Sequence, residues 1–293
     1  MRIIILGAAA GGGLPQWNCG CARCDAARAG RIPPLTQSAV AVTANGRDWA
    51  ILNASPDIRA QIAATPALHP IGARETPLRA VLVTNGDIDH VAGLLSLRES
   101  QRFDLWATAA IHDALAANPM LAALNPDLVA RRTAALDRAF DLLPGLSATL
   151  FAVPGKVPLY QEGAEVETGL VGETTVGVEL RASGRRVLYI PGCADMPDWL
   201  AARIEGADLL LFDGTLWHDD EMIAAGLGVK TGQRMGHMPV TRTLQALAPL
   251  TIGRRVLVHI NNSNPLTDPG SAETATAAAA GWTVARDGME ITP

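Results

Sequence analysis

The chain has 293 residues, 48% of them hydrophobic and 18% charged, with a formal net charge of −5 and an isoelectric point near 5.7. That balance excludes a disordered chain, and an acidic chain with no Lys/Arg cluster offers no surface for nucleic-acid phosphates. No apolar run reaches the roughly 18 residues that cross a bilayer, so a cytoplasmic protein without membrane association is expected.

The amino-terminal run Met1-Arg-Ile-Ile-Ile-Leu6 turns straight into Gly11-Gly12-Gly13 and reads as a first strand, not as a signal peptide. The glycine-rich stretch from Gly7 fails as a dinucleotide-binding loop. Position 9 is Ala where the motif needs Gly, and Pro15 and three cysteines follow in place of a helix. These glycines instead suit a backbone that passes close to another segment. Cys19, Cys21 and Cys24 then form a Cys-x-Cys-x-x-Cys cluster near residues 15–25. In a reducing compartment that clustering points to a structural Zn(II) with a fourth ligand from elsewhere, and not to disulfides. Unligated small residues in a loop are the plainer alternative.

Ser38 to Thr43 and Trp49 to Leu52 read as strands joined by the hairpin signal Asn45-Gly46. Asn53-Ala-Ser-Pro-Asp57 is expected to cap a helix running to about Ala64, and Pro66, Pro70 and Pro77 mark a loop. Ala80 to Val83 reads as a buried strand, and Leu94, Leu95 and Leu97 as part of a helix. Between them lie Asn85, Asp87, Asp89 and His90. Two readings of this junction stand side by side: a turn with Asp89 capping the helix, or a metal-binding wall.

Asp104 to Ala107 is expected as a strand, Ala110 to Ala117 as a helix, and the stretch to Asp141 as mixed helix and loop. Ala148 to Val153 reads as a strand, Pro154 to Thr168 as loop, and Thr174 to Leu180 with Arg186 to Ile190 as a second hairpin about Ser183-Gly184. A helix over Pro197 to Glu205, a strand Asp208 to Phe212, a helix Thr241 to Leu247, a strand Arg255 to Val258 and a terminal helix Ser271 to Ala280 complete the pattern. No low-complexity linker divides the chain, and 1–293 is expected to form one domain of two mixed sheets with helices outside.

Three of the buried strands end in ligand-type residues: Asp87, Asp89 and His90 after the first, Asp213 after the second, His259 after the third. If these strands lie side by side in one orientation, their carboxyl ends share an edge. His237, at a loop–helix junction, adds a further imidazole. Taken singly, each of these residues has an ordinary structural use as a cap, a core histidine or a surface group.

Thr84-Asn-Gly-Asp-Ile-Asp-His90 followed by Gly93 resembles the metallo-β-lactamase superfamily motif T-H-x-H-x-D-H-x-x-G, with Asn85 and Asp87 in place of its first two histidines. Tyr189-Ile-Pro-Gly-Cys193, the stretch from Ala207 to Trp217, Gly236-His237 and Val258-His259 follow that superfamily's later motifs in order. More narrowly, Ala9-Ala-Gly-Gly-Gly13, Pro15-Gln-Trp-Asn-Cys19, Asn53 to Arg59, Phe212-Asp-Gly-Thr215 and His259-Ile-Asn-Asn262 are similar to the pyrroloquinoline quinone (PQQ) biosynthesis protein B family. These motifs span residues 6 to 265.

The resemblance implies an α+β fold, a four-layer αββα sandwich, with the active site at the sheet edges. It also implies one step in making the redox cofactor. The reaction would be an Fe(II)- and O2-dependent hydroxylation of the tyrosine ring of a peptide-derived, crosslinked Glu-Tyr intermediate. It leaves room for other enzymes of the pathway and a second copy of the chain as partners.

The superfamily's hydrolases build their first zinc site from three histidines, and this chain has an amide and a carboxylate at two of those places. His90, His259 and either Asp89 or Asp213 would give two nitrogens and one oxygen, the usual set for mononuclear non-heme iron. Asn85 and Asp87 would orient those ligands through hydrogen bonds. Asp87, Asp89 and His237 are the catalytic candidates, with His237 either a ligand or an acid/base group. Two other functions remain open: a carrier of PQQ or its precursor, and a metallohydrolase with an altered site. Cys193 is given no role.

Overall fold

The computed structural model describes residues 1–163 and 166–293; Ala164 and Glu165, within the expected loop Pro154 to Thr168, lie outside the described residues. Fourteen strands among the described residues form two seven-stranded mixed sheets. They are β1 (Arg2–Gly7), β2 (Ala39–Thr43), β3 (Trp49–Leu52), β4 (Leu78–Leu82), β5 (Phe103–Ala107), β6 (Val129–Thr133), β7 (Ala139–Leu143), β8 (Leu146–Ala152), β9 (Val176–Ala182), β10 (Arg185–Ile190), β11 (Leu209–Asp213), β12 (Arg254–Val258), β13 (Trp282–Val284) and β14 (Glu290–Ile291). The first sheet runs β14-β1-β2-β3-β4-β5-β6 and the second β13-β12-β11-β10-β9-β8-β7.

Side-chain alternation decides which way each strand faces. Val187 and Tyr189, Leu209 and Leu211, and Val256 and Val258 join the core between the sheets. Their neighbours Leu188, Ile190, Leu210, Phe212 and Leu257 face outward, where Leu200 and Ile204 of one helix, Val240 of another and Leu247 just beyond its end cover them. On the first sheet the helix Ile58–Ala64 packs on β1 and Ala109–Ala116 on β6. The result is the four-layer αββα sandwich. A polar pin crosses the middle: the buried Tyr189 hydroxyl meets Ser38 Oγ at 3.2 Å and Asn53 Nδ2 at 3.3 Å.

Four expectations need correction. The stretch to Asp141 holds two strands, β6 and β7, each pairing at a sheet edge. The helix Ala272–Ala279 is not terminal; β13 and β14 follow it, one in each sheet. Leu94, Leu95 and Leu97 lie in a 3-10 segment, Ala92–Leu97, after a single α-turn, Ile88–Val91. Finally, the three strands that lead to candidate ligands do not share a sheet. β11 and β12 are parallel neighbours, but β4 belongs to the opposite sheet.

The glycines do serve close approach. A Cβ on Gly7 would lie 2.0 Å from Gln37 O, and one on Gly93 would lie 2.1 Å from Ser55 O and 2.7 Å from Ala54 O. The Gly93 contact matters for function. Gly93 N donates to Ala54 O, and Ala54 N donates back to His90 O, which locks the turn carrying His90 against the end of β3. Gly93→Ala is therefore expected to lower stability by about 1–3 kcal/mol, as overpacking against rigid backbone does. Urea unfolding measures it, and an unchanged midpoint would show that this contact is not tight.

Candidate metal centre

The site is assembled where the ends of β4, β11 and β12 meet across the gap between the sheets. On the first sheet, Asp87 occupies the cap position of the Ile88–Val91 turn, but its side chain makes no capping bond. Asp89 sits inside the turn and not at its cap position. Asn85 Oδ1 accepts from His90 Nδ1 at 2.7 Å, and Asn85 Nδ2 donates to Asp87 Oδ2 at 3.0 Å. With Nδ1 committed as donor, His90 presents its other nitrogen as a lone pair. That Nε2 is buried and has no hydrogen-bond partner among the described residues.

On the second sheet, β11 delivers Asp213 and β12 delivers His259. His259 sits at a positive φ of 58°, an uncommon conformation for a residue with a side chain. Its neighbours hold it there: Ile260 N donates to Ala8 O, Asn261 N to Thr215 O, and Thr215 Oγ1 lies 3.0 Å from His259 O. Thr215 is the node of this side. Its hydroxyl is 2.6 Å from Asp213 Oδ1 and 2.8 Å from His259 Nδ1. Donating to the carboxylate, it accepts from the imidazole, which leaves His259 Nε2 to face Asp89 Oδ2 at 3.1 Å.

His90 Nε2 lies 3.9 Å from the same Asp89 oxygen. Two imidazole nitrogens thus converge on one carboxylate oxygen. The separations suit groups that share a cation at bonds of about 2.0–2.2 Å. Burial pushes His90 down to about 4, so it is neutral and able to ligate near pH 7. Burial alone would raise Asp89, but His90 and His259 outweigh it and hold the carboxyl well below its usual range. Burial also opposes a charge on His259, yet its bond to Asp89 raises it. The chemistry of this donor set fits a divalent metal: one unpartnered buried nitrogen, a second nitrogen and a carboxylate that need a cation between them.

Asp213, His237 and His259 form a second cluster, organised differently. His237 Nδ1 donates to Asp213 Oδ2 at 2.7 Å, and Cys193 N and Thr215 N donate to the same carboxylate at 2.9 and 3.0 Å. The Asp213 carboxylate is thus already engaged by these donors. Cys193 is fully buried and its thiol is pushed up by that burial.

A cavity of about 310 Å³ opens beside Asp89, His237 and His259. Lys156, Glu162, Lys230 and Tyr160 line it, none of which the sequence reading singled out. Tyr160 donates to Gly86 O at 2.9 Å, and burial followed by the Asp89 charge pushes Asp87 up.

The Cys19, Cys21 and Cys24 sulfurs gather within 4.8 Å of one another, and none is in a disulfide. Asn262 Nδ2 lies 3.3 Å from Cys19 Sγ, 3.9 Å from Cys21 Sγ and 3.3 Å from Cys24 Sγ, closing the fourth side. Burial raises Cys24 to about 11, so it ionises only beside a cation. Three thiols around one point fit a zinc ion better than a bare loop.

Two packed mixed sheets with a His/Asp site across their strand ends define the metallo-β-lactamase class, and residues 48–260 match the beta-lactamase superfamily domain. Coenzyme PQQ synthesis protein B of Ruegeria pomeroyi is 58% identical over 99% of both chains. The crystal structure of Zn(2+)-bound PqqB from Methylobacterium extorquens superposes with a TM-score of 0.98 at 54% identity, covering all of both chains. The chain belongs to the coenzyme PQQ synthesis protein B family. A diphosphatase of the PhnP family, 19% identical with a TM-score of 0.71 over 99% of this chain and 97% of that one, shares the fold. Among the described residues no helix is long and apolar enough to cross a membrane.

Proposed function

We propose that this protein acts in PQQ synthesis as a non-heme iron oxygenase that hydroxylates the tyrosine ring of a crosslinked Glu-Tyr intermediate. The observation that carries the reading is the convergence of His90 Nε2 and His259 Nε2 on Asp89 beside an open cavity. Two histidines and one carboxylate with room left for substrate is the donor set of iron–oxygen chemistry. When bound there, Fe(II) supplies the one-electron chemistry with O2 that side chains lack.

The remaining work falls to the chain's own groups. Asn85 and Thr215 fix the two ligand imidazoles by holding their Nδ1 atoms. Asp87 in turn holds Asn85. His237 faces the cavity with its Nδ1 held by Asp213, which fixes the ring so that its other nitrogen can pass a proton to and from a bound substrate. Asp213 is assigned to that support role and Asp89 to the metal. The zinc-bound relative keeps a hydrolytic reading in view, and one experiment separates the two. Protein loaded anaerobically with Fe(II) and given crosslinked Glu-Tyr, a reductant and O2 is expected to yield a product heavier by one oxygen atom. Turnover with Zn(II) in the absence of O2 would overturn the oxygenase reading.

A further inference from the structure

Only two of the chain's 24 basic residues are lysines, Lys156 and Lys230, and both line the cavity at the metal centre. Everywhere else the chain uses arginine. The two ammonium groups reach the same carboxylate: Lys156 Nζ lies 3.0 Å from Glu162 Oε1 and Lys230 Nζ lies 3.9 Å from Glu162 Oε2. Arg234 Nη2 is 3.1 Å from Glu162 Oε2 as well. Three cations thus face one carboxylate, and both groups of the tightest pair are largely shielded, with Lys156 11% and Glu162 8% exposed.

The shielded Lys156 and Glu162 balance one another, so the surplus positive charge sits on Lys230 and Arg234, 40% and 36% exposed. The acids on the facing wall are otherwise engaged, Asp89 with the histidines and Asp87 with Asn85. Among the described residues the surplus is therefore available to an anionic ligand. The residue type also matters. A guanidinium is a rigid fork, whereas an ammonium on a flexible stem can turn from a resident carboxylate to an incoming one. Lys230, the looser of the two and 40% exposed, is the better placed to turn. Leu159, Tyr160, Met222 and Met235 give the same cavity an apolar lining that suits an aromatic ring.

We infer that Lys156 and Lys230, poised on Glu162, form a carboxylate-recognition subsite that grips the acid groups of an amino-acid-derived aromatic substrate and sets its ring beside Asp89, His90 and His259. The identity of that substrate rests on the proposed function; the carboxylate chemistry rests on the lysines alone. Because the chain has two lysines, protein labelled with 13C-lysine shows two side-chain signals, each reporting directly on the subsite. Titrating the metal-loaded protein with crosslinked Glu-Tyr is expected to move both, while its carboxamide analogue moves neither. Lys230→Gln and Lys156→Gln should each weaken binding of the acid roughly 10–100-fold, as loss of a charge-assisted hydrogen bond does, with Lys230→Arg, which keeps the charge but not the flexible ammonium, recovering only part of the affinity.

If crosslinked Glu-Tyr binds but the lysine signals stay still and the variants bind equally well, the subsite is refuted and the proposed function stands. If crosslinked Glu-Tyr does not bind while phenylsuccinate moves both signals with the same lysine dependence, the subsite stands and the substrate assignment falls. Signals unmoved by both acids overturn the subsite. Lys230, on the exposed side, keeps the test valid should Lys156→Gln fail to fold.

Discussion

His90→Ala is expected to strip the active-site metal and reduce turnover to background, without unfolding the chain. The reason lies in how this imidazole is held. Its ring is buried, its Nδ1 is tied to Asn85, and its Nε2 has no hydrogen-bond partner among the described residues. A buried nitrogen kept neutral and unpaired costs free energy, and a bound cation offsets that cost. Removing the ring leaves His259 and Asp89 as a two-ligand set that competes poorly for a divalent ion. The loss should exceed the roughly 10–100-fold that follows removal of an outer hydrogen-bond partner, and Asn85→Ala supplies that lower benchmark in the same protein.

His259→Ala should lose metal as completely, with an added fall in stability. The alanine must still adopt the positive φ that the Ile260, Asn261 and Thr215 bonds impose. Thr215→Val gives the contrast. It keeps both ligand rings but frees His259 Nδ1, so metal should bind more weakly and not vanish. Metal content after exhaustive dialysis, followed by Fe(II) titration, reads all four variants. Full metal occupancy in His90→Ala would remove this residue from the ligand set and the oxygenase reading with it.

The sequence was most readable where burial dictates it. Runs such as Leu209 to Phe212 and Val256 to Val258 alternate between two cores, and their boundaries follow from apolar period alone. β6, with the sequence Val129-Ala-Arg-Arg-Thr133, and the two-residue β14 escaped notice because they are edge strands, held by backbone pairing more than by buried side chains. In the site, Asp89, His90 and His259 stood out because ligand-type side chains recur just after the ends of buried strands. Their meeting across two sheets was not legible, since nothing local in β4 records which sheet it joins.

Thr215 was quoted only as part of a motif. A threonine after Asp-Gly reads as a turn residue until His259 and Asp213 are seen on either side of its hydroxyl. The lysines lay in loops far apart in the chain. Their scarcity was the one signal available, and it is compositional, so it carries no position until the fold brings both to Glu162.

Cys24→Ser is expected to release the zinc at the cysteine cluster and to lower the thermal midpoint. Zinc held at a hundredfold over its Kd contributes about 2.7 kcal/mol. For a chain of this size that corresponds to roughly 4–5 °C. Cys24 is the critical sulfur of the three because it is fully buried, and there a serine hydroxyl neither ionises nor packs as the thiol does. The effect should also reach the metal at Asp89, because the two sites share backbone. Asn262, which touches all three sulfurs, is three residues beyond His259 on the same segment. Ala10 N donates to Ile260 O and Ile260 N to Ala8 O, so the strand leading to the cysteines is laced to the strand end that carries His259. Gly11 then passes beside the Asp89 carboxyl. Loosening the cluster should free both walls of the His/Asp site at once, whereas Cys19→Ser, at a partly exposed position, should cost less on both counts. Metal analysis and Fe(II) affinity measured on the same preparations decide it. Unchanged zinc content in Cys24→Ser would reject the structural-zinc assignment. Loss of zinc with an unaltered Fe(II) affinity would show that the cluster stabilises the fold without shaping the site.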